Sequence, residues 1–410
     1  MVLTSLAAVA VGLTPPASAR PWDVQTISSR GAAHSRGIDV LPSGQTALLV
    51  QHRVRAAARL ELRIGRRTRV LDSGQAVNFE AKLDHDSHGR LVVAWLRFSR
   101  SAGPAQLFAW SAGTGRQQLA AGDNPATLAL AVAPSGRAAL AYWSPKGVFV
   151  SRAGAGRGFA KPESLDVPSN VAVRPGIGVT SGGRTVVAWS GRGGVLTRAA
   201  NGASGFGPMQ DVRLRAPAEG ATLLSDSPKV VMTARGRAVV CVSSDELRSH
   251  RVVDSRVEAF DWPAGDAHPS GAATLSRGAG AGTADVVVQG ASAAIAWTQR
   301  PKGSPRALWI ARWTPRGLQR PSLYDTRALG LQVVLAPAAS GALDAFYRAA
   351  GAHWFTVRLS RAGRFSGTSV VTPPSESISA IEVASAGRQV VAAWTGRERG
   401  PRVQLARPAR

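Results

Sequence analysis

The chain has 410 residues, with 50 lysines and arginines against 25 acids for a formal charge of +25, and a single cysteine, Cys241. One cysteine excludes an internal disulfide, so stability must come from a core, which a chain of this length can bury. So basic a balance predicts attraction to polyanions, although a genome rich in G and C would also inflate arginine, alanine and glycine.

The first nineteen residues hold an apolar run from Val2 to Leu13, a Pro15-Pro16 break and an Ala17-Ser18-Ala19 box. This pattern predicts a secretory signal peptide over 1–19 and a secreted or envelope-associated product, although the usual basic n-region is missing. No cysteine follows the box, so lipid attachment there is not expected. Arginine or glycine interrupts every later apolar stretch, which argues against a transmembrane segment.

Trp22–Ile27 reads as an isolated strand. Beyond it a glycine, often followed by arginine, opens an apolar run that commonly ends in an aromatic residue. The anchors are Gly44, Gly89, Gly136, Gly183, Gly236, Gly290, Gly341 and Gly387, spaced 45 to 54 residues apart. A shorter apolar strand precedes each anchor, as in Leu128–Ala133 and Ile177–Thr180, and a Pro-Ser-Gly, Ser-His-Gly or Ser-Gly-Gly turn joins the two. A third strand follows, seen in Gly147–Arg152, Arg306–Arg312 and His353–Leu359. A weaker fourth follows in Met209–Leu214 and Thr368–Val371.

Four-stranded antiparallel units of this length cannot cover both faces of their sheets alone, and a radial array solves the problem. Leu91, Val92, Val93 and Ala94 are apolar at successive positions, as in a strand covered on both sides. The fold class is therefore all-β, an eight-bladed propeller forming one domain over 20–410. The last unit runs out at Arg402–Ala406 after three strands, so the N-terminal strand is expected to complete it and close the ring. The alternative is seven blades with a degenerate unit around Gly236–Arg277, where the spacing stretches.

With these repeats laid out, the chain resembles the broad superfamily of bacterial secreted β-propellers. None of Trp95, Trp143, Trp189, Trp297 and Trp394 is followed by aspartate, as WD40 blades require. The glycine-to-aromatic spacing also departs from the sialidase box, and the repeats of quinone-cofactor dehydrogenases are not matched. The resemblance implies a fold and almost no chemistry, with no cofactor.

Asp84-His85-Asp86-Ser87-His88 gathers ligand-type side chains, but its spacing fits no standard metal site and its composition suits a turn, so no metal is assigned. Cys241 reads as a buried, inert thiol and Ser243–His250 as a polar loop. The tryptophans repeated at strand ends point to packing between blades. Trp309, Trp313 and Trp354, on third strands, are candidates for partial exposure.

Carboxylates that propellers place around a channel mouth are represented by Glu80, Asp123, Glu219, Asp285 and Glu376, near the starts of innermost strands. The loops joining second to third strands share that face and are cationic. Arg53, Arg97, Arg100, Arg251, Arg300, Lys302, Arg306, Arg397 and Arg399 are the candidates for anionic ligands, with Arg55, Lys146, Arg192 and Arg402 beside them. The opposite face carries Arg90, Arg137, Arg184, Arg237 and Arg388 after the anchor glycines. The expected function is an exported binding or scaffolding protein that meets an anionic envelope polymer or a protein partner, without sequence-specific nucleic-acid readout. The alternative is a glycan-active hydrolase or lyase using channel carboxylates.

Overall fold

The computed structural model describes residues 22–409 apart from 29–31, 55–56, 75, 100–102, 166–172, 192, 226, 277–279, 301–305, 325–331, 349–352, 373–377, 379, 388 and 397–400. Residues 1–19, expected from the sequence to be a signal peptide, lie outside the described residues.

Each anchor glycine takes a positive φ, from 59° at Gly387 to 90° at Gly183, because the hairpin between first and second strands needs one left-handed residue. In blade after blade the glycine N–H donates back three residues, Gly44 to the Leu41 carbonyl at 2.8 Å and Gly136 to Ala133 at 2.8 Å. This is a type I turn closed by a glycine bulge.

These hairpins build eight antiparallel sheets among the described residues, here blades I to VIII, six of four strands and two, blades V and VI, with a fifth short strand alongside. The innermost strands are Ala32–Val40, Ala76–His85, Thr127–Val132, Gly176–Val179, Lys229–Met232, Asp285–Gln289, Val333–Pro337 and Glu382–Ala386. Each packs on the innermost strand of the next blade, and Glu382–Ala386 meets Ala32–Val40 to complete the ring. The second strands, such as Leu91–Ser99 and Ala138–Ser144, are buried along almost their whole length, because neighbouring blades cover both faces.

The ring is closed by Trp22–Ser28, which pairs with Arg402–Pro408 as the fourth strand of blade VIII, Trp22 opposite Pro408 and Val24 opposite Ala406. The same strand touches both neighbours. Trp22 Nε1 donates to Ser369 Oγ of blade VII at 3.1 Å, and Arg63 of blade I donates to the Ile27 carbonyl at 2.9 Å.

The seven-blade alternative is corrected by blade V, which is complete. Its spacing stretches because Ala238–Arg248 and Arg251–Trp262 are 11 and 12 residues long and project beyond the blade, where Thr222–Ser225 pairs alongside. The reading of Ser243–His250 as a loop is corrected for the same reason: Ser243–Arg248 continue the strand, and only Ser249 and His250, at φ 49° and 63°, make the turn. Of the charged residues that disguised this extension, Glu246 pairs with Arg256, which also reaches Asp254 and donates to the Arg215 carbonyl at 2.8 Å, while Asp245 and Arg248 are exposed.

Trp95, Trp189, Trp297 and Trp394 are fully buried between blades, as their repetition suggested. Trp354 and Trp313 are buried too, against the expectation of exposure, because third strands are also covered by neighbouring blades; Trp309 is half-buried.

Two glycines separate backbone conformation from crowding. Gly115, at φ 71°, has open space where a Cβ would stand, whereas at Gly136, φ 86°, a Cβ would lie 2.7 Å from Arg90 Nη2 and 2.9 Å from Asp86 Oδ2. Gly115→Ala is expected to cost about 1–2 kcal/mol from the left-handed backbone alone. Gly136→Ala is expected to cost clearly more in the same denaturant titration, and equal losses would contradict the packing described.

Candidate functional site

Charged side chains gather along the channel wall between blades VIII, I and II. A bulge between Ser35 and Gly37 leaves Arg36 as an extra residue on the innermost strand of blade I, a device that re-aims a side chain. Arg36 Nε donates to Gln51 Oε1 at 2.8 Å, and burial lowers its pKa while the Glu382 and Glu80 charges oppose that shift. Glu382 accepts a hydrogen bond from Ser35 Oγ. Burial pushes its carboxyl above the usual range, against the pull of Ser35, Lys82 and Arg36. Glu80 lies midway along the innermost strand Ala76–His85, where its charge acts on Arg36, and its companion Glu382 was missed by the sequence reading. The rule that selects starts of innermost strands also selects Glu382 once that strand begins there; Glu376, chosen instead, lies outside the described residues.

Lower on the same strands, Asp39, Asp84 and His85 bring their donor atoms within 4.8 Å of one another. Every carboxylate oxygen is engaged. Asp39 accepts from Val40 N at 2.8 Å and is hydrogen-bonded to His85 Nδ1 at 2.6 Å, while Asp84 accepts from His85 N at 2.8 Å and from Val132 N of blade III at 2.7 Å. The cluster therefore ties blades I, II and III together. Burial, with the Asp39 charge adding to it, pushes the Asp84 carboxyl up to about 7, and the bond to Asp39 raises His85.

The reading of residues 84–88 as one turn is corrected in part. Asp86 does hold the turn, its Oδ1 accepting from His88 N and Arg90 N at 2.9 Å each. Asp84 and His85 instead end the innermost strand Ala76–His85.

The other carboxylates are placed as follows. Asp123 pairs with Lys146 at 2.5 Å. Asp285 holds Lys229 of blade V at 2.7 Å and the Leu335 N–H of blade VII at 2.7 Å, spanning three blades. Glu219 is exposed beside the blade V extension.

Among the cations, Arg53 is exposed, Arg97 is 3.6 Å from Asp72, and Arg251 is exposed just beyond the turn of the blade V hairpin. Arg306 donates to the Gly280 carbonyl, and burial, with the Arg300 charge adding to it, lowers its pKa. Arg100, Lys302, Arg397 and Arg399, like Arg55 and Arg192, lie outside the described residues. Cys241 is buried, and burial pushes its thiol up to about 12, so little reactive thiolate exists at neutral pH.

Many arginines serve the fold. Arg184 donates to the Gly236 and Trp262 carbonyls at 2.5 and 3.1 Å, Arg198 to Gly207, Leu165 and Phe206, and Arg312 to Ser360 at 2.9 Å. A guanidinium fork suits this work because it satisfies several carbonyls at once.

No family model matches the chain, and no curated protein matches it. Among solved structures, the polysaccharide lyase Uly1 aligns at 9% identity over 91% of this chain and 89% of its own, with a TM-score of 0.49. The α-L-arabinanase of Penicillium chrysogenum aligns at 10% identity over 95% and 96%, with a TM-score of 0.43. A structure from a study of two prolyl endopeptidases aligns at 11% identity over 90% of this chain, with a TM-score of 0.46; this chain spans 55% of its length. The blade order stands on the strand pairing alone, and the activities named are those of the other proteins. No helix among the described residues is long and apolar enough to cross a membrane.

The Asp84 carboxyl gives a signed pH dependence. With its folded pKa near 7 and an unfolded value near 3.9, folding takes up a proton between them, so its contribution to stability falls as pH rises from about 4 to about 7. Asp84→Asn keeps an acceptor for Val132 N–H and cannot ionise. Its melting temperature relative to wild type is expected to be higher at pH 8 than at pH 4, and a pH-independent difference would show that the carboxyl titrates normally.

Proposed function

We propose that the protein is an exported binding propeller for anionic polymers of the cell envelope. The observation that carries this reading is that Arg300 and Arg306 flank Gly280, where a Cβ would stand 3.4 Å from Arg306 Nη2 and 3.7 Å from the Arg300 Cβ, with no acid among the described residues in ion-pair reach of either. Like charges are not held together without a return, and an anion set between them would relieve the repulsion through charge-assisted hydrogen bonds. The charge count supports it: 50 cations exceed 25 acids by 25, and acids such as Glu61, Asp72, Asp261 and Asp344 are already engaged by arginines within the fold.

A second reading, a hydrolase or lyase acting on glycans, draws on the channel. Glu382, favoured in its neutral form by burial, and Glu80 both act on Arg36, so a proton donor and a carboxylate share one wall. Turnover of an acidic polysaccharide abolished by Glu80→Gln would favour it.

For the binding reading, purified protein on an immobilised polyuronate is expected to be retained at low salt and released as salt rises, because exposed charges are screened beyond about 8 Å at physiological ionic strength. Arg300→Ala/Arg306→Ala should elute at lower salt. Equal elution of the two proteins, or equal retention on a neutral polysaccharide, would count against the pair as a binding site.

A further inference from the structure

The face formed by the anchor turns carries three clefts in equivalent positions, between blades II and III, III and IV, and IV and V, of about 130, 320 and 190 Å³. Each is lined by the arginine that follows the anchor glycine of the leading blade: Arg90, Arg137 and Arg184 respectively. The repeat makes the three directly comparable, and they differ in what that arginine does.

In the first cleft Arg90 is spent on Asp86, Nε to Oδ2 at 2.5 Å. In the last, Arg184 is buried, donates to two carbonyls and lies over the Trp262 ring at 5.7 Å. Arg137, in the middle cleft, is exposed, and no carboxylate or carbonyl among the described residues takes its guanidinium. It reaches toward blade IV over bare backbone: a Cβ on Gly183 would stand 3.1 Å from Arg137 Nη1 and 3.2 Å from the Gly202 Cα.

Two more arginines line this cleft. Arg152 is fixed by a 3.0 Å bond to the Gly202 carbonyl and by lying 5.2 Å over the Phe206 ring. Arg157 extends from the exposed turn that follows Gly154. No acid is among the lining residues; Glu163, on the outer strand of blade III, lies 3.6 Å from Arg152. The remaining lining is small, including Gly154, Gly183, Gly202 and Ala203, so the space is left open rather than filled.

We propose that the cleft between blades III and IV binds one acidic sugar residue of a polysaccharide, its carboxylate or sulfate held by Arg137 and Arg157 above the fixed Arg152. The anionic group is set by guanidinium chemistry, since a planar fork matches oxyanions in a bidentate way. The size is set by the volume, because a bare oxyanion would leave most of about 320 Å³ empty, whereas a monosaccharide unit occupies it. This inference rests on the anionic-polymer reading above and assigns it a residue-level site on the opposite face from Arg300 and Arg306.

The test is calorimetric titration of the full chain with trigalacturonate, with a sulfated galactan oligosaccharide, with inorganic sulfate and with neutral galactotriose. Wild type is expected to bind one or both acidic oligosaccharides, and to bind sulfate and galactotriose at least tenfold more weakly. Arg137→Ala/Arg157→Ala should weaken that binding at least tenfold. Ala203→Trp, which fills the cleft and leaves every charge in place, should do the same with the melting temperature retained. Unchanged oligosaccharide binding in Ala203→Trp overturns the cleft. Retention on the polyuronate column without binding of either acidic oligosaccharide overturns the cleft and leaves the polymer reading standing. Failure of both overturns both. Sulfate binding as tight as the oligosaccharides would make this a simple oxyanion site and overturn the sugar assignment.

Discussion

Everything described depends on the pairing of Trp22–Ser28 with Arg402–Pro408. A blade buries both faces of its sheet only if it has a neighbour on each side, so an open array would leave two terminal blades half covered and edge strands available to other chains. Drawing the last blade from both ends of the chain ties the ring shut with backbone hydrogen bonds. The closing strand then gains from both neighbours, through Trp22 against Phe346 of blade VII and Arg63 of blade I on Ile27. The channel wall between blades VIII, I and II lies beside this seam, and Arg36, Glu80, Lys82 and Glu382 share one environment only because the seam is closed.

Closure also explains how a chain with a charge of +25 folds compactly. Self-repulsion is reduced where guanidiniums turn inward onto carbonyls and acids, as at Arg198, Arg256 and Arg358. What is left over is distributed by the geometry of the blades. Arginines after anchor glycines fall at the blade-to-blade grooves, where one is spent on an acid, one on carbonyls, and one, Arg137, remains available. The same residue type at the same repeat position thus has three fates: Arg90 is held by Asp86 of its own turn, Arg184 by carbonyls of the next blade, and Arg137 by neither.

The features legible in the sequence were those that repeat and are local. The anchor glycines stood out because a left-handed turn residue is needed once per hairpin, and the second strands because burial on both faces makes them continuously apolar. The count at the two ends revealed the closing strand. Features that arise between repeats were not legible. Asp84 looked like part of a turn because Asp86, two residues on, is one, and its contact with Val132 belongs to another blade. Glu382 was passed over for Glu376 because the start of an innermost strand was misplaced by a few residues. The blade V extension read as a polar loop because it projects beyond the blade, leaving Asp245 and Arg248 exposed, while Glu246 is satisfied by Arg256 across the hairpin. No spacing within a single repeat marks the clefts, since each is built from two consecutive blades.

The closed ring is tested most directly by a cross-link between the two ends of the chain. Asp23 and Arg407 stand opposite each other in the closing pair, and the native thiol, Cys241, is buried. In Asp23→Cys/Arg407→Cys, mild oxidation is expected to form the disulfide in nearly every molecule and to raise the free energy of unfolding by about 2–4 kcal/mol over the reduced form. Two thiols that stay free under the same oxidation, with no change in stability, would show that the ends do not meet and that the ring is open.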